Sequence, residues 1–385
     1  MKNLFLLNPE ITFLNFGSFG ACPKPIFEAY QNLQFELESD PVQFIVNIGI
    51  EKLASARKKL GSYIGCKPED LVFMINPSYA INTITKSIQL KPGDEILSTN
   101  LEYGAMDRTW NYYCQKADAK YIQQSISLPI FTKEQFIDDF WKGYTEKTKA
   151  IFISHITSAT GLILPVKEIC TEAKKRGLLT IVDGAHVPGH IPFQISEIEA
   201  DIYTGACHKW MMAPKGASFL YVNKENQHWV DPLTISWGYQ SDFPSNFQFI
   251  DFHQTAGTRD FSAFLTVPFC IDFMEKYNWR EVASECRTKT IQIASDFQKE
   301  LGFDTIAPIQ EEFLGQMFSF PIHTTDPIHL KKQLYQRFKI EIPVTFQNGN
   351  YYLRFSFQVF NEEQDFNKLL NSLKILRQEE KIFFR

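Results

Sequence analysis

The chain has 385 residues, too long for one small domain and suited to a large domain plus a smaller one. Hydrophobic residues at 44% and charged residues at 22% exclude a disordered chain. Lys+Arg 39 against Asp+Glu 44 gives a net charge of −5 with neither sign clustered, so no basic face offers itself to nucleic acid.

In chain order, the opening MKNLFLLNPEITF carries an apolar stretch broken at Asn8-Pro9. That stretch is too short for a signal-peptide core or a membrane span, and no later stretch is apolar for long enough. A soluble cytoplasmic protein is expected. LVFMI (71–75) and EILST (95–99) predict strands around a helix over 77–90. AIFISHI (150–156) predicts a buried strand and SATGLIL a loop. Pro165 then opens a helix whose Val166, Ile169, Cys170 and Ala173 recur at i, i+3, i+4, i+7; Lys174, Lys175 and Arg176 fill its last turn and Gly177 stops it. LLTIVDGA, DIYTGA and ASFLYV predict three further strands. Strand, helix and strand with short connections form a βαβ unit, so an α/β fold with a mostly parallel sheet follows. Downstream of about residue 261 the texture changes. Helical runs over 263–277 and 279–301 lead into scattered short strands and a last helix beginning at Asn361, with Gln364 placed as in a capping box and a stripe of Phe366, Leu369, Leu370 and Leu373. Residues 1–260 are expected to form an N-terminal arm and large α/β domain, and 261–385 a smaller α+β domain.

The chemistry should gather where ligands of open parallel sheets bind, outside the carboxyl ends of the strands. Three such ends carry reactive side chains: Ser154-His155, Asp183-Gly184-Ala185-His186 and Cys207-His208-Lys209. Asp183 alone reads as a helix cap, and Lys209 alone as a solvated lysine. Together they set an acid and an amine 26 residues apart at the mouths of consecutive strands. That pair suits pyridoxal 5'-phosphate: a lysine amine forms a Schiff base with the aldehyde, and a carboxylate keeps the pyridine nitrogen protonated. Asn76-Pro77-Ser78-Tyr79 supplies a cap, a proline at the first helical position and a hydroxyl, which suits either a phosphate cradle or an ordinary capped helix. Tyr103 suits either a ring-stacking aromatic or a core residue.

IVDGAH and TGACHKWMMAPKG resemble the core signature of the class V aminotransferase family of pyridoxal-phosphate enzymes. FLNFGSFGACPKPIFEA, INPSYAIN, NLEYGA, SHITSATGLILPVKEI, QTAGTRDFSAF and YYLRFSF follow in the family's order over more than 300 residues. LNFGSFG, SHITSATG, HKWMMAPKG and GTRDFSA are most similar to its isopenicillin N epimerase-like branch. The resemblance implies the fold-type-I architecture, a mostly parallel seven-stranded sheet flanked by helices plus a small C-terminal domain. It implies that Lys209 is the Schiff-base lysine and α-proton shuttle, that Asp183 pairs with the pyridinium nitrogen, and that His186 lies near the ring's phenolic oxygen. Tyr103 would stack on the ring, and Ser158 would contribute to the cofactor site. Ser78, the Tyr79 backbone and His208 would hold the phosphate. Gly257 and Thr258 would reach the phosphate of a neighbouring subunit, implying a homodimer with its active sites at the interface. Arg354 would bind the substrate carboxylate, with Asn15 also on the substrate side.

The pattern departs from the family in three places. Ala206 stands where many relatives have Ser or Thr on the phosphate. The family's SHxxNxxG pattern reads Ser154-His155-Ile156-Thr157-Ser158, without the asparagine. Cysteine desulfurases of the family carry a nucleophilic cysteine in the C-terminal domain, but the last cysteine here is Cys286 and residues 340–353 have none. Desulfuration by that route is disfavoured.

Other chemistries lack their residues. The seven cysteines form no CxxC pair, so neither a zinc ribbon nor a disulfide framework is supported. His186 and His190 have metal-like spacing, but Pro188 and Gly189 between them exclude a shared helix face, and no metal site is expected. FGSFGA near Gly17 lacks the strand, helix and ribose-binding acid of a dinucleotide site, and neither GxSxG nor HExxH occurs. The expected activity is chemistry at the α-carbon of an amino acid or related amine. Epimerisation or racemisation is favoured by the branch resemblance, with transamination, carbon–sulfur elimination and a catalytically silent binding module as alternatives. The block beginning Trp237-Gly-Tyr suits an aromatic wall for a bulky substrate or plain core packing.

Overall fold

The computed structural model describes residues 1–384. Twelve strands are formed among them: β1 (Thr12–Phe13), β2 (Leu71–Met74), β3 (Glu95–Thr99), β4 (Lys120–Gln124), β5 (Thr148–Ser154), β6 (Leu179–Asp183), β7 (Ile202–Ala206), β8 (Ser218–Val222), β9 (Met317–Ile322), β10 (Ile340–Glu341), β11 (Val344–Gln347) and β12 (Asn350–Ser356). Seven make one sheet in the order β2-β8-β7-β6-β5-β3-β4. Only β8 runs against its two neighbours; every other pairing is parallel. Helices cover both faces, so strands such as FIS and LTIVD bury nearly every side chain and read as continuous apolar runs. This is the fold-type-I architecture.

The register of this sheet positions the site. Ser154 pairs with Asp183, and Asp183 with Thr204. The carboxyl ends of β5, β6 and β7 are therefore level, and the segments leaving them open onto one edge. The helix Val166–Lys175 between β5 and β6 buries Val166, Ile169, Cys170 and Ala173, as its spacing predicts, and the chain leaves it through Gly177 at φ +68. The helix after β2 spans Pro77–Ser87, three residues short of the expected end. Ile88 is already extended (φ −65, ψ 127), and Pro92 bars helical geometry from Lys91 just ahead.

β11, β12 and β9 form a three-stranded antiparallel sheet in the C-terminal part. The N-terminal arm is stitched to the C-terminal part: β1 pairs with β10 in a separate two-stranded sheet, and Phe16 N–H donates to Ser356 Oγ at 2.7 Å while Ser356 N–H donates to the Leu14 carbonyl at 2.9 Å. The run expected over 263–277 is divided into helices Ser262–Leu265 and Val267–Lys276, because Pro268 lacks an N–H and crowds the preceding turn. Both pack on the N-terminal helices Lys24–Ser39 and Gly49–Ile64. The last helix spans Glu363–Gln378, and its capping box is Glu362 with Asp365, one residue later than expected. Asn361 is used elsewhere: its Nδ2 donates to the Phe13 carbonyl at 3.0 Å.

One close approach joins arm and site. Gly20 sits at φ +63, ψ −177, and a Cβ there would lie 2.5 Å from the carbonyl oxygens of both His208 and Lys209. Gly20→Ala is expected to cost about 1–3 kcal/mol through backbone strain, read as a lower Tm with weaker cofactor retention. An unchanged Tm would contradict this packing.

Candidate active site

Asp183 ends β6 fully within the protein. Its Oδ1 accepts Ala185 N–H at 2.9 Å, and no Lys or Arg among the described residues lies within ion-pair distance. Burial pushes this carboxyl above its ordinary range, opposed by the Ala185 N–H and by Lys209. A buried carboxylate so placed calls for a cation. Lys209, in the turn after β7, points its Nζ to His186 Nε2 at 3.1 Å. Burial lowers the Lys209 amine to about 8, with Asp183 opposing and Arg354 adding to the shift. His186 is held well below its ordinary value, first by burial and then by the nearby Lys209, Arg354, His190 and His208. Its Nδ1 faces Trp210 Nε1 at 3.4 Å. His190 lies behind, its Nδ1 on the His186 carbonyl at 2.8 Å and its ring stacked on Trp210 at 3.8 Å. The two histidines share no ligand geometry, and no cluster of potential metal ligands occurs among the described residues.

Arg354 comes from β12 of the small sheet and is only 4% exposed. Its Nη2 donates to Ser18 Oγ at 3.0 Å and its Nη1 to the Ser158 carbonyl. No carboxylate pairs with it among the described residues. Burial lowers its guanidinium to about 10, which remains charged at neutral pH. Ser18 Oγ in turn donates to Asn15 Oδ1 at 2.5 Å, and Asn15 Nδ2 donates to Glu341 Oε1 at 2.9 Å. Asn15, expected on the substrate side, therefore stands behind the arginine with both ends of its amide engaged. Ser158, expected at the cofactor, offers its carbonyl to Arg354.

At the other end, Asn76 Oδ1 caps the helix Pro77–Ser87 by accepting Tyr79 N–H at 2.8 Å. That donor, expected on a phosphate, is already used. Ser78 in the same first turn keeps its hydroxyl for a ligand. His208 faces the Ala217 carbonyl through Nδ1 at 3.0 Å. A carbonyl only accepts, so the neutral ring carries its proton there and presents a lone pair at Nε2. Burial lowers this imidazole to about 4; a phosphate beside it would raise its proton affinity and turn Nε2 into a donor. Ala206 is fully buried in β7, where a methyl packs without a polar duty. Tyr103, at the start of the helix Gly104–Lys116, is 48% exposed, which leaves a ring face free and removes the core reading. Gly257 and Thr258 are exposed, with Gly257 at φ +107, and none of these hydrogen bonds involves them.

Three residues of the site carry no signal in composition or spacing. Ser18 anchors Arg354 across 336 positions of sequence. Trp210 faces His186. Glu102, beside Tyr103, is 1% exposed and accepts from Thr99 Oγ1 at 2.7 Å and from Ser154 N–H at 2.9 Å. Burial pushes that carboxyl up to about 8, opposed by the hydrogen bonds it accepts from Ser154 and Thr99. Trp237 and Phe243 are 79% and 93% exposed, which removes core packing as the reading of that block.

A carboxylate lacking a cation and a guanidinium lacking an acid, with a low-affinity amine between them, fit a cofactor bearing a protonated ring nitrogen and a substrate bearing a carboxylate. Asp183, Lys209, His186, Ser78, His208 and Tyr103 are the residues that could hold pyridoxal phosphate. The fold and these residues define a pyridoxal-phosphate enzyme of fold type I. Residues 25–369 match the family Aminotransferase class-V, and the chain belongs to that family. It is 30% identical to isopenicillin N epimerase of Amycolatopsis lactamdurans, covering 96% of both chains. It is 24% identical to a probable chloroplastic L-cysteine desulfhydrase of Arabidopsis thaliana, over 95% of this chain and 83% of that one. Among solved structures, a mutant of the cystine C–S lyase C-DES, with glycine covalently linked to its pyridoxal-phosphate cofactor, superposes with a TM-score of 0.84 at 18% identity, covering 97% of this chain and 98% of that one. No helix among the described residues is long and apolar enough to cross a membrane.

An amine captures an aldehyde only when unprotonated. In the cofactor-free chain, trapping of a small aldehyde on Lys209 with borohydride should rise with pH through about 8. A solvated lysine would rise near ~10.4. Peptide mapping across a pH series measures this, and a midpoint near the solvated value would refute the buried environment.

Proposed function

We propose that this chain is an amino-acid epimerase or racemase. The carrying observation is Arg354, a buried guanidinium without an acidic partner on the same side of the protein as Lys209. Its planar fork suits the two oxygens of an α-carboxylate, and Ser18 and the Ser158 carbonyl hold it rigid. Bound pyridoxal phosphate supplies an electron sink that acidifies the α-proton of an attached amino acid. Asp183 holds a proton on the ring nitrogen by its buried charge. Lys209, with its lowered proton affinity, removes the α-proton at Nζ and can return one at neutral pH. Net inversion follows when a proton from water adds on the opposite face and Lys209 passes the one it took to solvent. The epimerase relative at 30% identity supports this reading.

A second reading is carbon–sulfur elimination, favoured by relatives named as cysteine desulfhydrases. It uses the same deprotonation and differs in the loss of a β-substituent. Transamination, with the proton returned elsewhere, is a third outcome of that step. A nucleophilic-cysteine desulfurase route has no support: Cys286 is the last cysteine and is buried.

A homodimer is part of the proposal. Exposed apolar side chains at Phe35, Val42, Val46, Trp237 and Phe243 call for cover, and Gly257 and Thr258 are exposed for reach into a neighbouring site. Sedimentation at micromolar concentration should give a dimer; a monomer there would overturn this part.

The loaded protein, incubated with an amino-acid panel in deuterated water, should exchange the α-proton of at least one member as followed by NMR. Racemised amino acid supports the first reading, a keto acid transamination, and a fragment elimination. Lys209→Ala should abolish exchange, and persistence of exchange would exclude Lys209 as the base. Arg354→Lys keeps the charge and loses the fork, and should lower kcat/KM about tenfold or more.

A further inference from the structure

Trp210 is fully buried directly after Lys209, and its indole nitrogen has one partner, His186 Nδ1 at 3.4 Å. Stacking on His190 at 3.8 Å and contact with Phe16 at 5.1 Å fix the plane of the indole. His190 is itself clamped, with Nδ1 on the His186 carbonyl and Nε2 accepting Gln316 N–H at 2.5 Å. The His186 ring therefore meets a donor of fixed direction.

Proton accounting then determines the rest. An indole N–H donates and never accepts, so His186 Nδ1 must offer its lone pair. A neutral imidazole carries one N–H, which must then sit on Nε2. That atom faces Lys209 Nζ at 3.1 Å. An N–H facing an ammonium would set donor against donor, so the contact is satisfied only by an amine with a free lone pair. We propose that Trp210 is a positioning residue that sets the His186 tautomer and thereby holds Lys209 as the uncharged, nucleophilic amine.

The surrounding charges agree. Lys209 is faced by Asp183 from the end of β6, by Arg354 from β12 and by His186 and His208 from the adjoining turns. Asp183 favours the ammonium; Arg354 and the low-polarity setting oppose it. His186 has no carboxylate in hydrogen-bond contact that would make it an imidazolium. A proton gained by Nζ has no acceptor on the His186 side while Trp210 holds the tautomer, so it cannot pass to that ring.

The inference rests on the proposed function for the use of the amine, but its test does not. Full-length cofactor-free protein labelled with ¹⁵N-histidine and ¹³C-lysine would be titrated by NMR. His186 is assigned by loss of its signals in His186→Gln, and Lys209 by loss in Lys209→Ala. The expected result is a neutral His186 with its proton on Nε2 and a Lys209 Cε resonance titrating well below an ordinary lysine. In Trp210→Phe, Nδ1 loses its donor, Nε2 is free to accept from an ammonium, and the Lys209 midpoint should rise by about one pH unit, a tenfold loss of free amine at neutral pH. A proton on Nδ1 in the wild type, or an unshifted Lys209 midpoint in a folded Trp210→Phe, would overturn the proposal. If that variant does not fold, the wild-type tautomer still decides. A protein with the expected tautomer that exchanges no α-proton would refute the proposed function and leave this inference standing.

Discussion

Two buried charges without counter-ions organise this molecule. Asp183 and Arg354 are 5% and 4% exposed, and neither forms an ion pair among the described residues. Isolated buried charges are costly, and they persist where a ligand completes them. The fold supplies the stiffness that holds them. Level strand ends fix Asp183 against Ser154 and Thr204, and β12 fixes Arg354 within a three-stranded sheet. The N-terminal arm couples the two parts: Gly20 packs on the carbonyls of His208 and Lys209, while Ser18, two residues earlier, holds the guanidinium. A single short segment thus touches both the Lys209 backbone and the Arg354 guanidinium.

Between these charges the protein controls where protons sit. Burial weakens proton binding at Lys209, His186 and His208 and strengthens it at Glu102. Hydrogen-bond direction adds what burial does not: Ala217 orients His208, and Trp210 orients His186. A cleft arranged in this way is suited to removing a proton from carbon near neutral pH. Relatives named as an epimerase and as a cysteine desulfhydrase both align over nearly the whole chain.

The fold and the placement of Asp183 and Lys209 were legible in sequence because they rest on local patterns. Continuous apolar runs marked the buried strands, the period of Val166, Ile169, Cys170 and Ala173 marked a helix, and Asp183 and Lys209 stood at strand ends where such folds bind ligands. The misjudged details depended on competition between neighbours. Ile88 turned extended and ended one helix early, Pro268 divided another, and Asn361 left its capping position for a partner more than 300 residues away.

The sequence by itself determined the α/β architecture, the family and the placing of an acid and an amine at neighbouring strand ends, since each is carried by short local patterns along the chain. Only the tertiary structure decided that Asn15 backs Arg354 through Ser18, that Tyr79 N–H is spent on a cap, and that Trp210 faces His186. Those relations depend on the direction of single donors and acceptors meeting across the fold, and residue order alone does not encode such directions.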